Sequence, residues 1–465
     1  MAEPFYDAVI VGAGAAGLAA AVAAADRGAR VCLLEGSGEV GGALRISPGP
    51  ISGAGTRRQA ERGIADSPAQ HYADAMRASR GGADPAFLSL AVGLQGPLVD
   101  WLTDNGFEMA PEAPRVTPGR TPRAYWGPEG GRSILKVLER LLDAHVAAGR
   151  VALHLRAEVA GLIVEDAVVT GARTTDGREF RGAAVVLTTG GYAANPELFA
   201  RIHGGARLWS GSDHRAKGAG LELGLEAGGV LVHADKALPN FGGVLDHTLA
   251  EPRYRAPGGL AAEVRAPWEI VVNREGRRFY AEDDGDADAR AALLQRQPGS
   301  QAWVIYDEAI RQAAPSLFSA FPAEKAQAFY EAGGCIVTAD SLAGLARGCG
   351  LDAAALADTV EAYNRAVETG EDPLGRRHLP RRIEAAPFHA LPIVAYTVRS
   401  SAGLKVDTEL RVLDAGGRPI ARLYAVGEIL GALLSGRGGA RGMMLTPALA
   451  FGRRLGQRLP IGEGR

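Results

Sequence analysis

The sequence predicts an α/β protein: a Rossmann-like domain, a parallel sheet with helices plus an antiparallel layer, carrying an inserted α+β domain. Three observations predict it. The apolar run Ala8–Val11 passes directly into Gly12, Gly14 and Gly17, the strand-turn-helix order of a dinucleotide-binding unit. Two further strand patterns, Val185 to Gly191 and Arg422 to Glu428, are apolar and end in small residues or Gly-Glu. Between them, after Val232, mixed strands and helices appear with Pro and Gly punctuation, and strand patterns return from Leu391. The expected division is 1–232 and 389–465 for the Rossmann-like domain and 233–388 for a substrate-capping insert. A chain of 465 residues fits two domains.

The elements follow in order. Ala8–Val11 is too short and too β-branched for a helix and reads as a buried parallel strand. Gly12 permits the tight turn, Gly14 lets the backbone approach a pyrophosphate, and Gly17 lets the helix pack on the strand. The Ala-rich stretch Leu18 to Asp26 is the helix, whose N-terminus holds phosphates. Val31 to Glu35 is the second strand; the Glu35 carboxylate accepts both hydroxyls of an adenosine ribose and disfavours a 2′-phosphate. Gly36 to Gly42 follows at once, a Gly-Gly pair expected where the chain crosses the pyrophosphate of FAD rather than NAD. Arg132 to Leu142 is an amphipathic helix. Val151 to Leu155, Gly161 to Val164 and Ala167 to Arg173 read as strands, with Asp176-Gly177 as a turn. The strand ending in Thr189-Gly190 suits close approach to a cofactor, and Gly427-Glu428 suits a ribityl chain. Asp352 to Glu368 is a helix with Leu356 and Tyr363 on its core face.

Composition excludes several classes. The net charge of -2 suggests neither nucleic acid nor an anionic membrane surface as a partner. The three cysteines, Cys32, Cys335 and Cys349, show no CxxC spacing, which suggests a reducing cytoplasm and no structural metal. The strand beginning by Ala8 leaves no room for a signal peptide. No apolar run reaches the length of a membrane span.

With these residues in view, the sequence resembles the fumarate reductase/succinate dehydrogenase flavoprotein superfamily. It is most similar to the soluble branch that includes 3-ketosteroid dehydrogenases and related desaturases. The resemblance runs through Gly41 to Ser47, Gly53 to Thr56, Gly63 to Ser67, Thr188 to Tyr192, Lys217 to Leu221, Ile270 to Phe279, Ala402 to Leu404, Tyr424 to Glu428 and Gly442 to Gly452. It implies an FAD-binding domain with a substrate cap and oxidoreduction at a CH–CH group. It adds Ala15, Ala16, Gly36, Gly41, Gly42, Ala43, Ser47, Val159, Gly442, Met444 and Leu445 to the FAD contacts. No histidine lies in Gly41 to Thr56, where the respiratory branch attaches its flavin, so FAD is expected to be non-covalent. No second GxGxxG followed by an acid is present, so no NAD(P)H domain is expected.

Two departures bear on chemistry. In fumarate reductases an arginine following the Arg-Phe-x-x-Glu segment donates the proton. Here that segment is Arg278 to Glu282, and the matching position holds Asp286, with Arg290 four residues on. Arg399 stands near the family's histidine. The loop Ser435 to Gly442, followed by Thr446-Pro447-Ala448, is closer to the ketosteroid dehydrogenase pattern, where the glycine N–H helps polarise a ketone. Arg437, Arg441, Arg399 and Glu263 are the candidate substrate anchors. Arg265, eight residues before Asn273, matches a superfamily active-site arginine, and Glu263 lies one residue out of register with its carboxylate partner. Tyr125, Tyr254, Tyr280 and Tyr396 are candidate proton acceptors, with Tyr396 favoured because the resemblance places its segment beside the flavin; a basic neighbour such as Arg399 would lower its pKa.

The expected function is FAD-dependent formation or reduction of a C=C bond α,β to a carbonyl, first on a cyclic ketone, with or without a carboxylate. The catalytic set is Tyr396, Gly442, Arg399, Arg265 and Tyr254. The runner-up is a dicarboxylate or enoate reductase using Arg290, or Glu263 with Arg265. A non-catalytic flavin-binding protein is the rival from another class. The electron partner is oxygen, a quinone-like carrier or another carrier that the residues do not identify.

Overall fold

The structure is a computed structural model; it describes residues 5–116, 121–247, 249–331, 335–436 and 442–462. The chain divides into two compact units. The first comprises Met1–Gly204, Asp213–Leu238 and Arg399–Arg465; the second comprises Gly205–Ser212 and Pro239–Val398.

The first unit is built on five parallel strands. Their order is Val151–His154, Val31–Leu34, Ala8–Val11, Val185–Leu187 and Pro419–Ala425. Val9 pairs with both Cys32 and Val185, and Leu187 pairs with Ala425. The three inner strands are buried on both faces, which is why they read as continuous apolar runs rather than alternation. Val159–Glu165, Val168–Thr174 and Glu179–Gly182 form the antiparallel layer beside them. The amphipathic helix runs Gly131–Ala147, longer than its apolar core suggested.

The first helix, Ala15–Asp26, packs on the C-terminal helix, Leu445–Gly456. Small residues make this seam. A Cβ on Gly452 would lie 2.3 Å from the Ala16 carbonyl oxygen, and one on Gly456 would lie 2.2 Å from that of Ala20. The pairing of 452 with 16 and 456 with 20 makes the two helices run the same way. Seven residues of the C-terminal helix precede Gly452, so its N-terminus projects about 10 Å beyond that of the first helix.

The second unit centres on the strand Phe388–Thr397. It pairs along its length with Gln301–Asp307, and also with Asn240–Asp246, Val337–Ala339 and Trp209–Ser210. Ile270–Val272 and Arg253–Arg255 extend the sheet. The helix Ala353–Thr369 starts at the Asp352 cap, whose carboxylate accepts from Ala355 N, and stops at Gly370 with φ 78. Leu356, Val360, Tyr363 and Ala366 form its buried stripe.

The unit limits differ from the expected ones. The division expected at 389 falls inside the central strand, which stays whole in the second unit. The division expected at 233 falls after Leu238 instead, although the expected membership of Leu231–Val232 holds, since this strand pairs with Gly403–Leu404 in the first unit. Residues 205–212 join the second unit because Trp209 pairs with Tyr396.

Candidate active site

The cofactor cradle is built in the first unit. Gly12 holds φ 102, and a Cβ there would lie 2.8 Å from the Thr188 carbonyl oxygen. A Cβ on Gly17 would lie 1.9 Å from Gly12 O, so only glycine lets the helix sit this close to the turn. Gly14 by contrast opens onto empty space, and a Cβ on Gly42 would meet only the Gly14 Cα, at 3.5 Å. The two glycine turns thus pack against each other, with an open slot beside Gly14. Gly190, φ 78, also opens onto space.

Glu35 is fixed at the slot's edge. Its Oε2 accepts from Ala13 N at 2.9 Å and its Oε1 from Ser37 N at 2.9 Å. Val159 stands close by in the chain: Ala157 N donates to Glu35 O, and Gly36 faces the Glu158 backbone. Gly42, Ala43, Leu44 and Arg45 form a short 3-10 turn, and Ser47 accepts through its side chain from Gly49 N. Arg215 is a residue that motif reading missed. It forms a bidentate pair with Asp213 and reaches Ser37 Oγ at 3.3 Å and Gly42 O at 3.5 Å, placing a cation at the second glycine turn.

Among the described residues, neither the first helix nor the C-terminal helix has a side-chain cap on its N-terminal amides. Each end is therefore electropositive. One end suits a pyrophosphate, and the other lies about two helical turns further along, the direction in which a ribityl chain continues. The buried Thr189 Oγ1 has no partner among the described residues. The open slot, the anchored ribose acid and the two uncapped termini fit FAD.

Several candidates meet at the C-terminal end of the parallel strands. Glu428 Oε1 accepts from Ser400 N at 2.8 Å, and Ser400 Oγ accepts from Tyr192 N at 2.6 Å. A Cβ on Gly191 would lie 2.1 Å from Ser400 Oγ and 2.4 Å from Glu428 Oε1. Burial pushes the Glu428 carboxyl above the usual range, opposed by the Ser400 hydrogen bonds and the nearby Arg399. Arg399 Nη1 lies 3.5 Å from Met444 Sδ. Gly442 holds φ 81, and a Cβ there would lie 2.6 Å from Ser52 Cβ. Leu445 begins the C-terminal helix, and Gly427, φ 97, packs within reach of the Ala16 methyl. Arg437 and Arg441 lie outside the described residues.

In the second unit the expected partners are exchanged. Arg265 is buried and forms a bidentate pair with Glu269, at 2.7 and 3.0 Å, while its Nε donates to Pro315 O. Glu263 instead accepts from Arg290 Nη2 at 2.6 Å. Arg290 is 2% exposed and lies over the Phe241 ring; its Nη1 donates to Leu260 O, and its buried Nε has no partner among the described residues. Glu263 is about half exposed. Asp286 caps the helix Ala287–Gln295, accepting from Ala289 N, which places Arg290 in that helix's first turns. Arg278 and Glu282, the ends of the Arg-Phe-x-x-Glu segment, pair with each other and with Asp372 and Arg376.

The tyrosines depart from expectation in the direction of their shifts. Tyr396 is buried against Gly211 and Gly243, and burial pushes its hydroxyl up to about 12. The Ala256 N–H and Arg255 oppose that rise; Arg399 is not among the groups that do. Tyr280 is enclosed and pushed well above its ordinary value. Tyr125 hydrogen-bonds Thr56 Oγ1 at 2.5 Å and is raised to about 12. Tyr254 is also raised by burial and packs at 5.1 Å from the Trp209 ring. All four hold their protons at neutral pH, which suits a donor better than a base.

Comparison with known proteins supports FAD as the cofactor. The family model described as FAD binding domain matches residues 7–442. The chain is 28% identical over 460 residues to a fumarate reductase (cytochrome) of Shewanella frigidimarina, covering 97% of this chain and 76% of that protein. It is 28% identical over 323 residues to a 4-oxocyclohex-2-ene-1-carboxylate 5-dehydrogenase of Sinomonas cyclohexanicum, covering 63% and 54%. Among solved structures, the open conformation of a flavocytochrome c3 fumarate reductase superposes with TM-score 0.80 at 27% identity, covering 98% of this chain and 78% of that one.

Proposed function

Since the chain belongs to the FAD binding domain family and is an FAD-dependent oxidoreductase, we propose that it reduces a C=C bond conjugated to a carboxyl or carbonyl group. The observation that carries this reading is the buried Arg290 paired with the half-exposed Glu263. Bound FAD supplies hydride exchange with carbon. Gly12, Gly14, Glu35, Gly42 and Thr189 would hold it. In this reading Arg290 would be the proton donor and Glu263 its link to solvent. Arg399 would anchor the substrate's carboxylate, and the Gly442 amide would be the donor to developing negative charge.

A second reading, oxidation of a cyclic ketone, keeps the substrate class first expected. The Gly442 turn and the cyclic-enone dehydrogenase among the relatives favour it. It needs a base, and the raised tyrosines weigh against it. The geometry therefore moves the preference from dehydrogenation to reduction.

The test is anaerobic. Photoreduced protein is mixed with fumarate, acrylate, cyclohex-2-enone and 4-oxocyclohex-2-ene-1-carboxylate in turn, and return of the oxidised flavin band is followed. Reoxidation by any of them supports the reductase. Bleaching of the oxidised protein by 4-oxocyclohexane-1-carboxylate, with no reoxidation by the alkenes, overturns it in favour of the second reading.

A further inference from the structure

Thr446 is fully buried in the first turn of the C-terminal helix. Its Oγ1 accepts from Ser52 N at 2.8 Å, a buried contact between parts of the chain 394 positions apart. The N-cap position is Met444, and among the described residues no side chain caps the helix amides. The same serine touches the helix entry a second time, because a Cβ on Gly442 would lie 2.6 Å from Ser52 Cβ and 2.9 Å from Ser52 N. Pro447, next in the turn, has no N–H to redirect. Ser52 belongs to the strand Ile51–Ser52, which pairs with Pro122–Tyr125. The helix terminus is thus clamped to a sheet element rather than left to the loop before it.

We propose that Thr446 is a positioning residue for the redox chemistry of the cofactor: its bond to Ser52 sets where the uncapped amides of the C-terminal helix point, and those amides stabilise negative charge on the reduced flavin ring. This terminus projects about 10 Å beyond that of the phosphate-binding helix, on the side where the flavin end of a bound FAD would lie. A helix terminus acts on charge only within about its first turn, so a small change in its aim is felt at the ring. The inference rests on FAD filling the cradle.

The experiment uses holoprotein with Thr446→Ser, Thr446→Cys and Thr446→Val. The probe is sulfite, which adds to the oxidised flavin and leaves negative charge on the ring; the second readout is the midpoint potential of bound FAD. Ser keeps the acceptor oxygen and is expected to match wild type within about twofold. Val removes it and is expected to bind sulfite about tenfold more weakly, with a potential about 30 mV lower for the two-electron couple. Cys, a weak acceptor, is expected between them, and the Ser-to-Cys step stays readable if Val does not fold. Wild-type sulfite affinity and potential in both Cys and Val, with only thermal stability reduced, would overturn the proposal. Wild-type protein purified without a flavin spectrum would instead defeat the FAD reading beneath it.

Discussion

Glu263 accepts a hydrogen bond at 2.6 Å from Arg290, although Arg265 is its much nearer neighbour in sequence. The pair joins a buried guanidinium to a half-exposed carboxylate, the minimum needed to pass protons between an enclosed carbon and solvent. Arg290→Gln is expected to slow alkene-dependent reoxidation by about 10²–10⁴-fold, with the flavin spectrum unchanged. Glu263→Gln keeps the size but not the charge, and is expected to slow proton resupply more than binding. Stopped-flow reoxidation decides, and a wild-type rate in Arg290→Gln removes it from the chemistry.

Arg265 is expected to behave differently. Its guanidinium is committed to Glu269, Gly259 O and Pro315 O. Arg265→Ala leaves Glu269, 1% exposed, as a buried carboxylate without its cation, at a cost of about 3–5 kcal/mol. Denaturant unfolding should show that loss. A variant as stable as wild type but catalytically dead would return Arg265 to the proton path.

FAD affinity should depend on Glu35. Its carboxylate already holds Ala13 N and Ser37 N, so Glu35→Ala unties both turns of the slot as well as removing the ribose acceptor. Loss of about 1.5–3 kcal/mol, or roughly 10–150-fold in Kd, is expected. Fluorescence of released FAD measures it, and an unchanged Kd contradicts the assigned cradle.

Gly442→Ala tests the helix entry against Gly149→Ala. Both glycines have positive φ, 81 and 70, but only at Gly442 would a Cβ collide, with Ser52. Gly149→Ala should cost about 1–2 kcal/mol for its backbone conformation alone. Gly442→Ala should cost more and loosen FAD as well. Equal thermal shifts with equal FAD retention would mean that Ser52 yields at no cost.

Acid stability should register His71. It is 3% exposed, its Nδ1 has no partner among the described residues, and burial followed by the nearby Arg123 holds it down from 6.5 to about 4. Because the folded value lies below the unfolded one, the unfolded chain takes up the proton first as pH falls. Stability is present above 6.5 and is lost between 6.5 and about 4, with a limiting slope of about 1.4 kcal/mol per pH unit. Unfolding curves across that window should be flatter for His71→Gln; an equally steep curve would assign the acid loss to other groups.

Much of the first unit was legible because parallel strands buried on both faces announce themselves as apolar runs, as Ala8–Val11 and Val31–Leu34 do. The phosphate glycines were legible because their spacing encodes backbone approach. Partner choice was not. Arg265 and Glu269 stand one helical turn apart in sequence, and their pairing was the signal that separated Arg265 from Glu263. Tyr396 reads as a strand tyrosine beside Arg399; what sets its hydroxyl is packing against Gly211 and Gly243, brought from elsewhere in the chain. Arg215 carried no motif, since its role at the glycine turn depends on Asp213 orienting it.

The seam of Gly452 and Gly456 against Ala16 and Ala20 has a consequence for biosynthesis. The helix that opens the nucleotide-binding unit has its main packing partner in Leu445–Gly456, far later in the chain, and Pro419–Ala425 must enter the middle of the same sheet. Apart from Gly205–Ser212, the second unit is one continuous stretch finished by Val398. On the ribosome the order of completion therefore runs opposite to the order of sequence: the later-encoded unit closes first. The first unit waits for Leu445–Gly456, and capture of the cofactor waits with it.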